Sequence, residues 1–346
     1  MGAHGATGRV MLQALLGLAV CALAAMLGSL IGGWRLGLPV GAVLCLDPLM
    51  ATYSVMLLAE MPLCLLLTAH LIAIALCFQR PTLIRAVLAG GLLGLAILVK
   101  PIAVVLSPLA IAACALAPRS PRARMALALI CAAALAIAPG LWMARNARVH
   151  GTLVLSSISH RLLYFYHGAA AEAWATGRDI EEVQSEWQER YSEVVRSTPD
   201  WPSRLHYLQS EALRSVAAHP LAWIRGCTLG LARIAVAPVR AHLQWIMPHS
   251  LVSTPLMGLQ FILILFLWAG ALRAVLRIRR APRPTAFTIG VALLAALMLI
   301  TIAAGANANA RFRVPAMPAL ALVGMWGWLC AGRPGASPED AQRETS

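Results

Sequence analysis

Apolar residues run in blocks as long as a bilayer is thick, and that pattern leaves few folds open to this chain. The blocks lie near residues 10–32, 37–58, 61–78, 85–99, 101–117, 124–143, 255–276, 286–304 and 314–330. A hydrocarbon core takes about 20 such residues per helix. Only a helix can satisfy its backbone there without an open edge, because no water is present to do it. Composition agrees: 60% of the residues are hydrophobic and 12% charged, against roughly 45–50% and 25% in soluble domains. The expected fold class is an all-α polytopic membrane protein, with about nine transmembrane helices and one large external loop of amphipathic and surface helices.

Four regions follow from the same blocks. Residues 1–143 form an N-terminal transmembrane region of about six spans, and 254–332 a C-terminal one of about three. Between them, 144–253 is an external loop or cap, and 333–346 is a polar tail. Within the cap, 179–197 and 203–218 read as surface helices, the first with a solvated acidic face. Residues 220–237 carry Arg225 and Arg233 on an otherwise apolar helix, the pattern of a helix lying at the interface.

The net charge of +14 does not point to nucleic acid. Arginines punctuate the apolar blocks or sit in the cap, without a basic stripe or a reader motif. Seven of the eight cysteines lie in apolar segments without CxxC spacing, so they read as core thiols. His160, His167, His206, His219 and His249 show no metal-ligand spacing, and no metal ligand is assigned.

Charge placement orders the spans. Arg80 and Arg85 precede residues 85–117, and Arg119, Arg122 and Arg124 follow them. The positive-inside rule puts both clusters in the cytoplasm, so the segment crosses, breaks at Lys100-Pro101 and returns. Arg35, Arg273 to Arg283 and Arg333 join the inner set, which makes the C-terminus cytoplasmic. Glu60, Lys100, the cap and the Asn307–Arg313 connection then face outside. An odd number of spans also puts the N-terminus outside, with no targeting device at Met1–Gly8. The expectation is that one upstream helix and its external loop are missing.

Ionisable groups in or beside apolar spans are costly and therefore mark function. Asp47-Pro48 lies in the second span, and Glu60-Met61-Pro62 ends it on the outside. Lys100, the only lysine, sits at the break, and Arg311 and Arg313 open the last span. One carboxylate facing cations at one membrane surface suits a phosphate near a lipid headgroup, since guanidinium forks and an ammonium both grip phosphate oxygens.

These stretches resemble the GT-C superfamily of polyprenyl-phosphate-dependent glycosyltransferases, in the branch of protein O-mannosyltransferases and the lipid A aminoarabinose transferase. LLAEMPL is similar to the family's acidic segment, with Glu60 at the acidic position. AGGLLGLAILVKP is similar to its Gly-Leu-Ala-x-Leu-x-Lys-Pro segment, and NARFRVPAMPALALVG to its late Arg-x-Arg-x-Pro segment. APGLWMARNARVHG is similar to the stretch leading into the external loop, giving Arg145, Asn146 and Gly151. The similarity runs from about residue 10 to residue 330 as short motifs.

The resemblance implies transfer of a sugar from a polyprenyl-phosphate carrier to an acceptor on the outer face. It implies a phosphate site of Lys100, Arg311 and Arg313, with Arg145 and Asn146 positioning the loop. Glu60 and Asp47 are the catalytic candidates, Glu60 as the group that orients the acceptor or a divalent metal. The expected partners are membrane lipids and a polyprenyl-phosphate-linked sugar, in a bacterial-type inner membrane. The family's general base is an aspartate on the first external loop, and no acidic residue precedes Asp47 here. The chain alone is thus expected to be inactive, with a partner chain supplying the missing N-terminal elements. The rival expectation is a non-catalytic membrane protein, either a scaffold or a transporter of an anionic lipid or solute. One interrupted helix pair without a counterpart disfavours transport.

Overall fold

The computed structural model describes residues 3–238 and 252–330. The expected tail 333–346, Arg333 and His249 lie outside the described residues. Those described are helical, with no strand among them. Five helices are long and apolar enough to cross a membrane, and six if one bent pair counts as a single span. That is consistent with a chain crossing a membrane several times.

Proline decides where the helices break. Helices α1 (Ala3–Gly32), α2 (Trp34–Leu46) and α3 (Pro48–Val55) come first, and α2 and α3 meet at 63°. The ring of Pro48 disfavours helical backbone at the residue before it, and Asp47 is extended there (φ −73°, ψ 116°). The expected span 37–58 is therefore this bent pair. Helix α4 (Glu60–Gln79) is straight and 20 residues long. Helix α5 (Leu83–Val99) stops at Lys100, which Pro101 holds extended in the same way (φ −152°, ψ 115°). A 3-10 helix (Pro101–Leu106) and α6 (Ser107–Ala115) lead back.

Residues 83–115 thus form a hairpin of two short pieces. With 17 residues, α5 rises about 25 Å, short of a ~30 Å hydrocarbon core. Arg119 donates to the Pro81 carbonyl at 3.3 Å, and Arg85 donates to the Leu76 carbonyl at the end of α4 at 3.0 Å. The two arginine clusters therefore meet at one end of the bundle. Lys100 and Glu60 meet at the other.

Helix α7 (Pro121–His150) runs 30 residues, past the expected boundary at 143. It packs along α5 at backbone distance, because Gly90 has no side chain in the way: a Cβ there would fall 2.1 Å from the Cys131 carbonyl oxygen. The chain later returns through α13 (Ser253–Arg277) and α14 (Arg283–Ile302). A 3-10 helix (Ala310–Ala316) follows, then α15 (Met317–Leu329). Every residue from Met317 to Gly327 is buried, as expected of a helix apolar all round. It is the centre of the bundle, touching α1, α2, α4, α13 and α14. Outward faces stay apolar, with Leu12, Leu15, Leu18, Leu129, Ile137 and Leu141 exposed, which suits lipid better than water.

The cap has a small core of its own. It comprises α8 (Ile158–Leu162), a π-helical turn (Leu163–Gly168), α9 (Ala169–Thr176), α10 (Ile180–Ser197), α11 (Trp201–Ala218) and α12 (Pro220–Val236). Tyr164, Trp187, Tyr191, Leu205 and Leu208 pack together, and the Tyr164 hydroxyl donates to the Trp187 carbonyl at 3.0 Å. Asp179 and Asp200 cap α10 and α11 by accepting backbone N–H groups. Helix α12 buries Gly226, Gly230 and Ile234 and exposes Arg225, Arg233 and Leu221, a one-sided helix against the bundle.

Candidate functional site

The helix breaks bring charged residues to one end of the bundle. Glu60 begins α4 and Lys100 ends α5, and the two helices pack antiparallel. Arg311 lies on the 3-10 helix before α15, started by Asn309, whose side chain accepts the Arg311 N–H. Lys100 Nζ donates to Glu60 Oε1 at 2.9 Å, and Arg311 Nε donates to the same oxygen at 2.5 Å. Glu60 is fully buried, whereas Lys100 and Arg311 stay 22% and 32% exposed. Glu60 Oε2 is enclosed without a partner among the described residues.

Counting donors shows what remains open. An ammonium has three donors and a guanidinium five. Lys100 gives one N–H to Glu60 and lies 5.6 Å from the Phe312 ring. Arg311 gives only its Nε–H to Glu60. One carboxylate against two cations leaves a net positive cluster with unused donors, which is what an anion requires.

Arg313 takes no part in this cluster. Its guanidinium is fully buried and donates to the carbonyls of Ile234 and, at 3.1 Å, Ala237. It closes the C-terminal end of α12, where carbonyls lack intrahelical partners and a cation is favoured. The expected three-cation site therefore becomes two cations at Glu60 and a third that pins the cap to the bundle. Asp47 is also placed elsewhere. It is 1% exposed and accepts the Leu49 N–H at 3.0 Å, as the cap of α3.

Lys100 also lines a cavity of about 1360 Å³, larger than the ~300–1,000 Å³ of ordinary ligand pockets. Its lining is mixed in polarity. Ile97, Leu98, Ile102, Val104 and Val105 form an apolar part, continued by Ile302 and Phe312. Towards the cap, Arg145, Asn146, three serines at 156, 157 and 159, Tyr166 and three histidines at 150, 160 and 167 line it together with Val154, Leu155, Ile158, Leu163 and Trp201. Lys100 belongs to both the ion cluster and the cavity, whereas Glu60 and Arg311 lie outside the lining. No Asp or Glu lines the cavity among the described residues.

Helix α7 delivers Arg145 and Asn146. Gly151 stops that helix in the left-handed region (φ 68°), which a side chain disfavours. The chain then turns back, and Asn146 secures it by donating to the Val154 carbonyl at 2.9 Å. Arg145 donates to Asn146 Oδ1 at 3.0 Å and lies 5.0 Å from the Trp142 ring. The loop-positioning geometry is thus local to the end of α7.

Three histidines at the cavity, His150, His160 and His167, were invisible as site residues to a search for metal spacing. Among the described residues no group of three or more His, Cys, Asp or Glu could hold a metal ion. The available signal was weaker: SSISHRLLYFYHG is a polar and aromatic stretch early in the cap, soon after the apolar block 124–143. Comparison with protein-family models, with curated proteins and with solved structures finds no match for this chain.

Proposed function

We propose that this chain is a membrane glycosyltransferase-like protein that holds the phosphate of a polyprenyl-phosphate-linked sugar at Lys100. One observation carries the reading: the only lysine of the chain lines a large cavity with both apolar and polar surface in its lining. An isoprenoid tail needs the first surface and a phosphate with its sugar needs the second. Arg311, with four N–H bonds left over after Glu60, stands beside Lys100 as a second grip. The resemblance of LLAEMPL, LAILVKP and ARFRVP to the GT-C superfamily supports the same residues. The nine-span topology with the site on the outer face of a bacterial-type inner membrane belongs to this proposal, on the strength of the arginine clusters at the opposite end.

Transfer also needs a base for the acceptor hydroxyl. Glu60 is the nearest carboxylate, and two cations engage one of its oxygens. That observation favours a second reading, a protein that binds the carrier without transferring the sugar. In both, Glu60 fixes the two cations in place.

A labelled polyprenyl-phosphate hexose incubated with the purified chain separates these readings. Retention of the label, weakened in Lys100→Met, is the expected result. Transfer that disappears in Glu60→Gln would make Glu60 the base, and retention without transfer supports the second reading. A wild-type chain that retains no label overturns both.

A further inference from the structure

The cavity lining combines two cations with neutral donors and holds no carboxylate among the described residues, and that restricts its ligand. His167 lies in the π-helical turn of the cap, whose displaced carbonyls are taken up by neighbouring helices. Gln184 donates to the Phe165 carbonyl at 2.9 Å, and Ser215 donates to the Gly168 carbonyl at 2.8 Å. Such a turn redirects a side chain relative to a regular helix and recurs at functional sites.

The indole of Trp223, on α12, donates its Nε1–H to His167 Nδ1 at 3.1 Å. An indole nitrogen can only donate, so Nδ1 carries no proton and the ring proton sits on Nε2. His167 Nε2 has no hydrogen-bond partner among the described residues, and the ring lines the cavity. Burial also pushes the imidazole below its ordinary pKa, in agreement with a neutral ring. His160 adds a second imidazole in the lining, with Nδ1 enclosed and unpartnered. His150 Nε2 lies 3.5 Å from the Arg145 guanidinium.

The cavity therefore offers cations at Lys100 and Arg145, neutral donors at His167 and the serines, and no carboxylate among its described lining. A ligand ammonium would meet Arg145 and the net-positive cluster of Lys100, Arg311 and Glu60, with no carboxylate in the described lining, at a cost that grows as water is excluded. A hydroxyl group, by contrast, accepts from an imidazole N–H and donates to a serine oxygen. Resting on the carrier reading above, we infer that the cavity takes a phosphate-linked sugar whose ring bears hydroxyl groups and no positive charge, contacted by His167 Nε2–H.

Three probes test this on the purified full chain: polyprenyl phosphate, its neutral hexose derivative and its amino-sugar derivative. The hexose is expected to bind about three- to tenfold more tightly than the bare carrier, the scale of a neutral hydrogen bond. The amino sugar is expected to bind about tenfold more weakly than the hexose. His167→Ala should remove most of the preference for the hexose, and His167→Gln, which restores an N–H donor, should return part of it. An amino sugar that binds as tightly as the hexose overturns the inference, as does equal binding of hexose and bare carrier. Failure of the bare carrier itself to bind overturns the carrier reading instead. The wild-type comparison decides even where a variant fails to fold.

Discussion

Glu60 is a buried carboxylate whose charge is tolerated because two cations share one of its oxygens. Removing a single partner leaves the other in place, whereas removing both strands a buried charge, a change that costs about 3–5 kcal/mol. The double variant Lys100→Met with Arg311→Met should therefore lose far more thermal stability in detergent than the two single variants add up to. Strict additivity would mean that Glu60 is held by something else. The sequence showed Glu60, Lys100 and Arg311 because an ionisable group in an apolar run stands out. It did not show what Arg313 binds: its acceptors are backbone carbonyls of Ile234 and Ala237, and a carbonyl has no residue type to read. The same limit applies to His167, whose state is set by Trp223, 56 positions away.

At the scale of elements, close backbone approach and helix breaks carry the design. Gly90→Val would drive a branched side chain into the Cys131 carbonyl of α7, and overpacking of that kind costs about 1–3 kcal/mol. Gly91→Ala, which meets nothing within 4 Å, should be nearly neutral, and the two melting temperatures compared side by side are the check. The cap makes a pH-dependent prediction. Burial lowers the pKa of His167 from its ordinary 6.5, so below that pH the unfolded chain takes up a proton that the folded cap does not. Stability then falls as pH drops through the window between the two values and is unchanged above it. Hydrogen exchange of α11 and α12 should show protection decreasing as the pH falls below 6.5, less steeply in His167→Gln. Identical slopes would remove His167 as a contributor. The three longer helices of the cap were legible in the sequence, but the π-helical turn was not, because nothing in LLYFYHG distinguishes one extra residue per turn from a regular helix.

For the whole molecule, the apolar blocks made the helical, membrane-compatible architecture legible. The number of crossings was less so. Pro48 cuts the block 37–58 into two pieces too short to cross alone, and a hydropathy window does not register the cut. The break at Lys100-Pro101, by contrast, was legible from the arginines on both sides. Topology can be measured directly. A cysteine placed at Pro101 in a background whose native cysteines are replaced should react with an impermeant thiol reagent added outside. One placed near Arg122 should react only after the membrane is opened. Labelling in the reverse order would invert the proposed orientation and put the cavity in the cytoplasm.

Above all, the proposed function requires Lys100 to hold a lipid phosphate in the cavity it lines. Native mass spectrometry of the purified chain with polyprenyl phosphate and with the matching polyprenol reads that contact directly. The wild type should carry the phosphate far more often than the alcohol, and Lys100→Met should lose about 1.5–3 kcal/mol of that preference, the scale of a hydrogen bond to a charged group. Equal occupancy by alcohol and phosphate, or a preference unchanged in Lys100→Met, would contradict it.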